Sequence, residues 1–183
     1  MSLIICPGIH EPKLTESFLV GLLQLNTSQK PENILIFPIQ DYPAYSSGHI
    51  LQFLSQNHSL SSPIIFISFS AGVVGAIAAA WGWQLLGGEV TAFIALDGWG
   101  VPLTGDFPIH RLSHDYFTHW SSALLGSGED SFYAAPSVAH LELWQQPQTV
   151  SGWWIHPQNN KSEQKTRTTA AQFLTMLLER YKT

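Results

Sequence analysis

Residues 63–80 read Pro63-Ile64-Ile65-Phe66-Ile67-Ser68-Phe69-Ser70-Ala71-Gly72-Val73-Val74-Gly75-Ala76-Ile77-Ala78-Ala79-Ala80. The first part, Pro63–Ser68, is a short apolar run bounded by a proline and a serine, the signature of a strand buried on both faces. The second, Ala71–Leu86, is long enough for a helix packed on that strand. Between them there is no room for a loop. The backbone must bend at Ser70, and such a bend forces the residue at its apex toward strained angles. Small neighbours two positions before and after, here Ser68 and Gly72, keep the flanking backbones from colliding. The geometry lifts the Ser70 hydroxyl off the sheet at the positive end of the following helix. It also aims the Ala71 amide where an oxyanion would form. The rival reading of Ser70 is an ordinary helix N-cap.

Working outward, apolar runs alternate with helical stretches. Leu3–Cys6, Asn33–Phe37, Val90–Leu96 and Ile109–Ser113 have strand character, and Ser131–Ala134 is a weaker sixth. Helices are expected at Thr15–Leu25, Ser47–Gln56 and Tyr116–Leu125. A last one, from Ser162 or Glu163 to about Tyr181, carries Ala170, Phe173, Leu174, Leu177 and Leu178 on one stripe. Pro102–Pro108 and Pro136–Pro157 read as loops. This alternation predicts right-handed crossovers and a three-layer α/β/α sandwich around a mostly parallel sheet of about six strands, formed by residues 1–183 as a single domain.

Composition limits the function. The chain has 183 residues, 45% hydrophobic and only 11% charged, with a net charge of −5. No basic run offsets that charge, so a nucleic-acid partner is not expected. The single cysteine, Cys6, cannot form an internal disulfide, and no leader resembling an export signal precedes the first strand; a cytoplasmic setting is expected. Tyr42 to Gly88 contains no Asp, Glu, Lys or Arg, yet Gln, Asn, Ser and Pro63 interrupt it too often for a membrane span. No H-E-x-x-H, paired-cysteine, P-loop or dinucleotide pattern occurs, so no metal and no cofactor is expected.

In an open parallel sheet the binding crevice lies at the carboxyl ends of the strands. Those ends deliver Pro7-Gly8-Ile9-His10, Pro38-Ile39-Gln40-Asp41, Ser68-Phe69-Ser70, Asp97-Gly98-Trp99-Gly100 and His114-Asp115, and a later loop reaches His140. A serine nucleophile needs a histidine base, and that histidine needs a carboxylate to hold its tautomer.

With these residues in place the chain resembles the α/β-hydrolase superfamily over most of its length. The order Ser70, Asp115, His140 matches the nucleophile–acid–base order of that superfamily. The resemblance implies Ser70 as nucleophile, His140 as general base and Asp115 as acid, with Asp97 as the alternative acid. His10, His114, His119 and His156 compete with His140, but only His140 follows the last expected strand and precedes the closing helix. The Pro7–His10 loop resembles the oxyanion loop, offering a backbone N–H from Ile9 or His10 alongside that of Ala71. Phe69 and Trp99, next to this chemistry, are expected to touch substrate. The elbow reads S-F-S-A-G where the superfamily favours G-x-S-x-G, and no leading strands or lid insertion are expected. The implied activity is a capless serine esterase or thioesterase acting on a small, fairly apolar acyl group through an acyl-enzyme. An acyltransferase, or a non-catalytic binding module on the same scaffold, is the alternative.

Overall fold

A computed structural model describes residues 1–25, 33–126, 128–156 and 164–181. Eight strands form one sheet: β1 (Ser2–Cys6), β2 (Asn33–Ile36), β3 (Ile64–Phe69), β4 (Val90–Leu96), β5 (Ile109–Ser113), β6 (Ser131–Ala134), β7 (Ser151–His156) and β8 (Gln164–Thr169). Six helices connect or flank them: α1 (Pro12–Leu25), α2 (Ser47–Asn57), α3 (Ala71–Leu85), α4 (Tyr116–Ala123), α5 (His140–Gln145) and α6 (Ala170–Arg180). Strand order is β2-β1-β3-β4-β5-β6-β7-β8. The first six strands pair in parallel, and β6–β7 and β7–β8 are antiparallel.

Three elements depart from the sequence expectation. α5 is a short helix inside the Pro136–Pro157 stretch read as a loop. β7 lies inside the stretch read as a loop, with Trp153 and Trp154 in register with Tyr133 and Phe132 of β6. Gln164–Thr169, read as the opening of the last helix, is instead an edge strand. The helix starts at Ala170, where the Thr169 hydroxyl accepts from Gln172 N at 3.2 Å and the Gln172 side chain accepts from Thr169 N at 3.1 Å. That reciprocal pair is a capping box, and it fixes the start of α6. Pro157, Ser162 and Glu163, where those expected elements end or begin, lie outside the described residues.

The two faces of the sheet carry separate cores, as period-two alternation requires. On one face Leu3, Ile5, Ile67 and Ile94 meet Phe18 and Leu22 of α1, Trp144 of α5 and Phe173 and Leu177 of α6. On the other Ile4, Phe66 and Phe93 meet Ile50 and Leu54 of α2 and Val73, Ile77 and Trp83 of α3. This is the three-layer α/β/α arrangement the sequence predicts. Among the described residues no helix is long and apolar enough to cross a membrane.

Candidate active site

The register of the sheet brings two strand ends level. Phe69 of β3 pairs with Leu96 of β4, so the next residues, Ser70 and Asp97, leave the sheet side by side. Ser70 is held there by its own amide, which donates to Leu96 O at 2.9 Å, and it adopts φ 53°, ψ −122°. That positive φ at a non-glycine residue is strain stored at the corner. Gly72 makes the corner possible. A Cβ at that position would lie 2.3 Å from Cys6 O and 2.4 Å from Pro7 O, so the first turn of α3 packs directly on the chain leaving β1. The Ser70 hydroxyl makes no capping bond to α3. It faces Nε2 of His140 instead, at 3.1 Å.

His140 opens α5, 70 residues further along the chain. A stack of rings backs its imidazole. Phe69 lies 4.6 Å from it, Trp144 is 5.1 Å from Phe69, and Phe18 is 3.8 Å from Trp144, all near parallel. Phe69 and Trp144 are fully buried. Phe69 therefore offers no exposed surface to the crevice, at odds with the expectation for it: its side chain packs into the α1/α5/α6 core.

The carboxylate against His140 is Asp97. Its Oδ2 accepts from Nδ1 of His140 at 2.8 Å. The same oxygen accepts from Nδ1 of His114 at 2.9 Å, and Oδ1 accepts from the His114 backbone N–H at 2.9 Å. Asp97 is 6% exposed. Burial alone would raise its pKa, but the hydrogen bonds from His114 and His140 outweigh that and hold it below the usual carboxylate range. Asp115, the acid expected from chain order, is elsewhere. Its Oδ1 accepts from Thr118 N at 2.7 Å and caps α4, and its Oδ2 lies 3.5 Å from Nε2 of His114. Its position directly before a helix commits it to the orphan amides of that first turn.

A cavity of about 350 Å³ opens over Ser70 and Ala71, walled by Val74, Trp99, Val101 and Thr118, with Asp97, His114 and His140 at its polar end. Trp99 is 64% exposed, so it forms a rim rather than a core contact. The Pro7–His10 loop packs against the corner, since a Cβ on Gly8 would lie 3.0 Å from Ser70 Cβ. Ile9 is exposed, and Ile9 and His10 line a separate cavity of about 300 Å³. The His10 ring engages Glu11 O through Nδ1 at 2.9 Å; burial, ahead of the nearby His140, lowers its pKa.

Asp97, His114 and His140 bring donor atoms within 4.8 Å of one another. Their 2.8 and 2.9 Å contacts are hydrogen-bond distances. Two ligands at about 2.1 Å from a tetrahedral ion stand roughly 3.4 Å apart, so the three side chains are arranged here as a hydrogen-bonded set. His114 is the member of this cluster that the sequence weighs only as a rival to His140 for the base, although it sits beside the expected acid.

No protein-family model and no curated protein sequence matches the chain. The fold does have a counterpart among solved structures. YbtT, a type II thioesterase from the yersiniabactin NRPS/PKS biosynthetic pathway, superimposes with a TM-score of 0.59 at 11% identity, over 98% of this chain and 92% of that one. The chain has the α/β-hydrolase fold.

Proposed function

We propose that this protein is a serine hydrolase that cleaves the ester or thioester of a small, fairly apolar acyl group through an acyl-enzyme. The observation that carries this reading is the unbroken series Ser70 Oγ, His140 Nε2, His140 Nδ1 and Asp97 Oδ2, with contacts of 3.1 and 2.8 Å. In the first step Oγ bonds to the substrate carbonyl carbon while its proton passes to Nε2 of His140. The carbonyl oxygen takes up the negative charge, which the backbone N–H of Ala71 and that of Ile9 or His10 receive. Collapse expels the alcohol or thiol, which leaves with the proton from Nε2. A water molecule then repeats the sequence, giving its proton to His140 and releasing the acid and free Ser70. Asp97 accepts from Nδ1 throughout, which selects the tautomer with a free Nε2 and stabilises the imidazolium as it forms.

The cavity over Ser70 supports a short acyl group. Val74, Trp99 and Val101 offer it apolar contact, and among the described residues no lysine or arginine that would favour an anionic one lines the cavity. Fold similarity to a type II thioesterase supports thioesters as the class to test first. The test is hydrolysis of matched short-chain thioesters and p-nitrophenyl esters. Turnover by the native protein, lost in Ser70→Ala, is the expected result. No turnover of either class by folded native protein would contradict the proposal. Transfer of the acyl group to an added amine or alcohol in preference to water would replace hydrolase with acyltransferase.

A further inference from the structure

The second histidine on Asp97 has no part in the steps above, yet it makes more bonds to that carboxylate than His140 does. We infer that His114 is a positioning residue for the proposed triad: it fixes the Asp97 carboxylate by two hydrogen bonds and, as a cation between Asp97 and Asp115, takes a share of the charge that Asp97 presents to His140. The inference rests on the serine-hydrolase reading and concerns how its base is tuned.

Three observations carry it. First, the contact has two points from one residue, backbone N–H to Oδ1 and Nδ1 to Oδ2, each at 2.9 Å. Together they fix both the position and the rotation of the carboxylate, which sits at a corner with φ 51°. Second, with Nδ1 donating to Asp97, the far nitrogen Nε2 stands 3.5 Å from Oδ2 of Asp115. One imidazole thus lies between two carboxylates, an arrangement that favours its protonated form. Third, His114 and His140 approach edge to face, with ring centroids 5.7 Å apart, and both donate to the same oxygen. A charge on one is therefore felt by the other through the carboxylate they share.

The titratable groups facing His114 are Asp97 from the end of β4, Asp115 from the cap of α4 and His140 from α5. The hydrogen bond that His114 donates to Asp97 raises its pKa above the ordinary value; partial burial opposes this, and the charges of Asp97 and Asp115 add to it. While His114 is protonated, it neutralises part of the charge that Asp97 presents to His140. The sequence Asp115, His114, Asp97, His140, Ser70 alternates acid and base across β3, β4 and β5.

The test uses the pH dependence of fluorophosphonate labelling, which requires His140 in its neutral form. His114→Asn retains an N–H donor where Nδ1 stands, and the backbone N–H is untouched, so the substitution removes the charge and little else. At a pH where His114 is protonated labelling should slow several-fold, and its acidic limb should move to higher pH. The two profiles should converge above the pH at which His114 loses its own proton. A second measurement needs no variant: in the native protein the His114 imidazole, followed by NMR, should titrate above the ordinary histidine value. A His114→Asn profile that superimposes on the native one, or a His114 that titrates at or below the ordinary value, overturns the inference while leaving the serine-hydrolase reading intact. Native protein that does not label at any pH overturns that reading, and this inference with it.

Discussion

Ser70 and Asp97 leave adjacent strands at the same level of the sheet and share the same unusual backbone, with φ 53° at one and 51° at the other. Among the described residues they are the two non-glycine positions with positive φ. Each is tied by its amide to the strand beside it, Ser70 N to Leu96 O at 2.9 Å and Asp97 N to Leu112 O at 2.8 Å. His140 joins their side chains. Strain of this kind costs on the order of 1–3 kcal/mol per residue and persists only where the surrounding structure over-determines it. Here the sheet does so, and both strained corners point into one crevice.

The choice of carboxylate gives the sharpest mutational contrast. In Asp97→Asn the partner of His140 becomes a neutral amide that no longer selects the tautomer, and turnover should fall by about 10³–10⁴-fold. Asp115→Ala removes a helix cap, which costs about 1 kcal/mol, and should lower turnover by less than tenfold. Parallel kinetics and thermal melts on the two variants check this. Equal losses of turnover would mean that the 2.8 Å contact between His140 and Asp97 is not the one the reaction uses.

That contrast also marks the limit of what the chain order could reveal. The elbow is legible because a buried strand, a serine and a helix follow one another with only small residues between. His140 is legible from its place after the last parallel strand. The acid is not, because Asp97 and Asp115 both follow strand ends, and only the register of β4 and β5 shows which carboxylate turns toward the crevice. Asp115, directly before the helix opened by Tyr116 and with Thr118 three residues on, carried a cap signal of its own. Phe69 misleads for a related reason: neighbours in a strand point to opposite faces, so a residue next to the elbow is aimed into the core. β8 is hidden because Gln164-Lys165-Thr166-Arg167-Thr168-Thr169 has no apolar alternation. As an exposed edge strand its charges protect it from further pairing, and its three threonines and the T-x-x-Q cap at 169–172 were the available clues.

Gly72 is the structural hinge of the elbow. Gly72→Ala would drive a methyl group to 2.3 Å from Cys6 O and 2.4 Å from Pro7 O, both backbone atoms with no room to retreat. A loss of about 1–3 kcal/mol in stability is expected, with a larger proportional loss of turnover as the Ser70 corner shifts. Denaturant unfolding alongside kinetics separates the two. Unchanged stability would show that the contact between α3 and the end of β1 is looser than described.

A pH dependence of stability should arise far from the crevice. His110 is fully buried, donating or accepting at Tyr181 Oη at 2.8 Å and Asp130 O at 3.3 Å. Burial, opposed in part by Asp130, lowers its pKa from an ordinary 6.5 to about 4. The folded protein therefore resists a proton that the unfolded chain accepts. Stability from this residue is present above pH 6.5 and is lost as pH falls toward 4, by about 3 kcal/mol in all. Unfolding free energies between pH 7 and 4 should fall more steeply in the native protein than in His110→Gln. Parallel slopes would contradict the assignment.

The central claim, a nucleophilic Ser70 served by His140, is tested most directly by mapping where a fluorophosphonate attaches. The account predicts one adduct on the native protein, located by mass spectrometry on Ser70, absent from Ser70→Ala and strongly slowed in His140→Ala. Folded native protein that takes up no label, or an adduct on any other residue that survives Ser70→Ala, would contradict it.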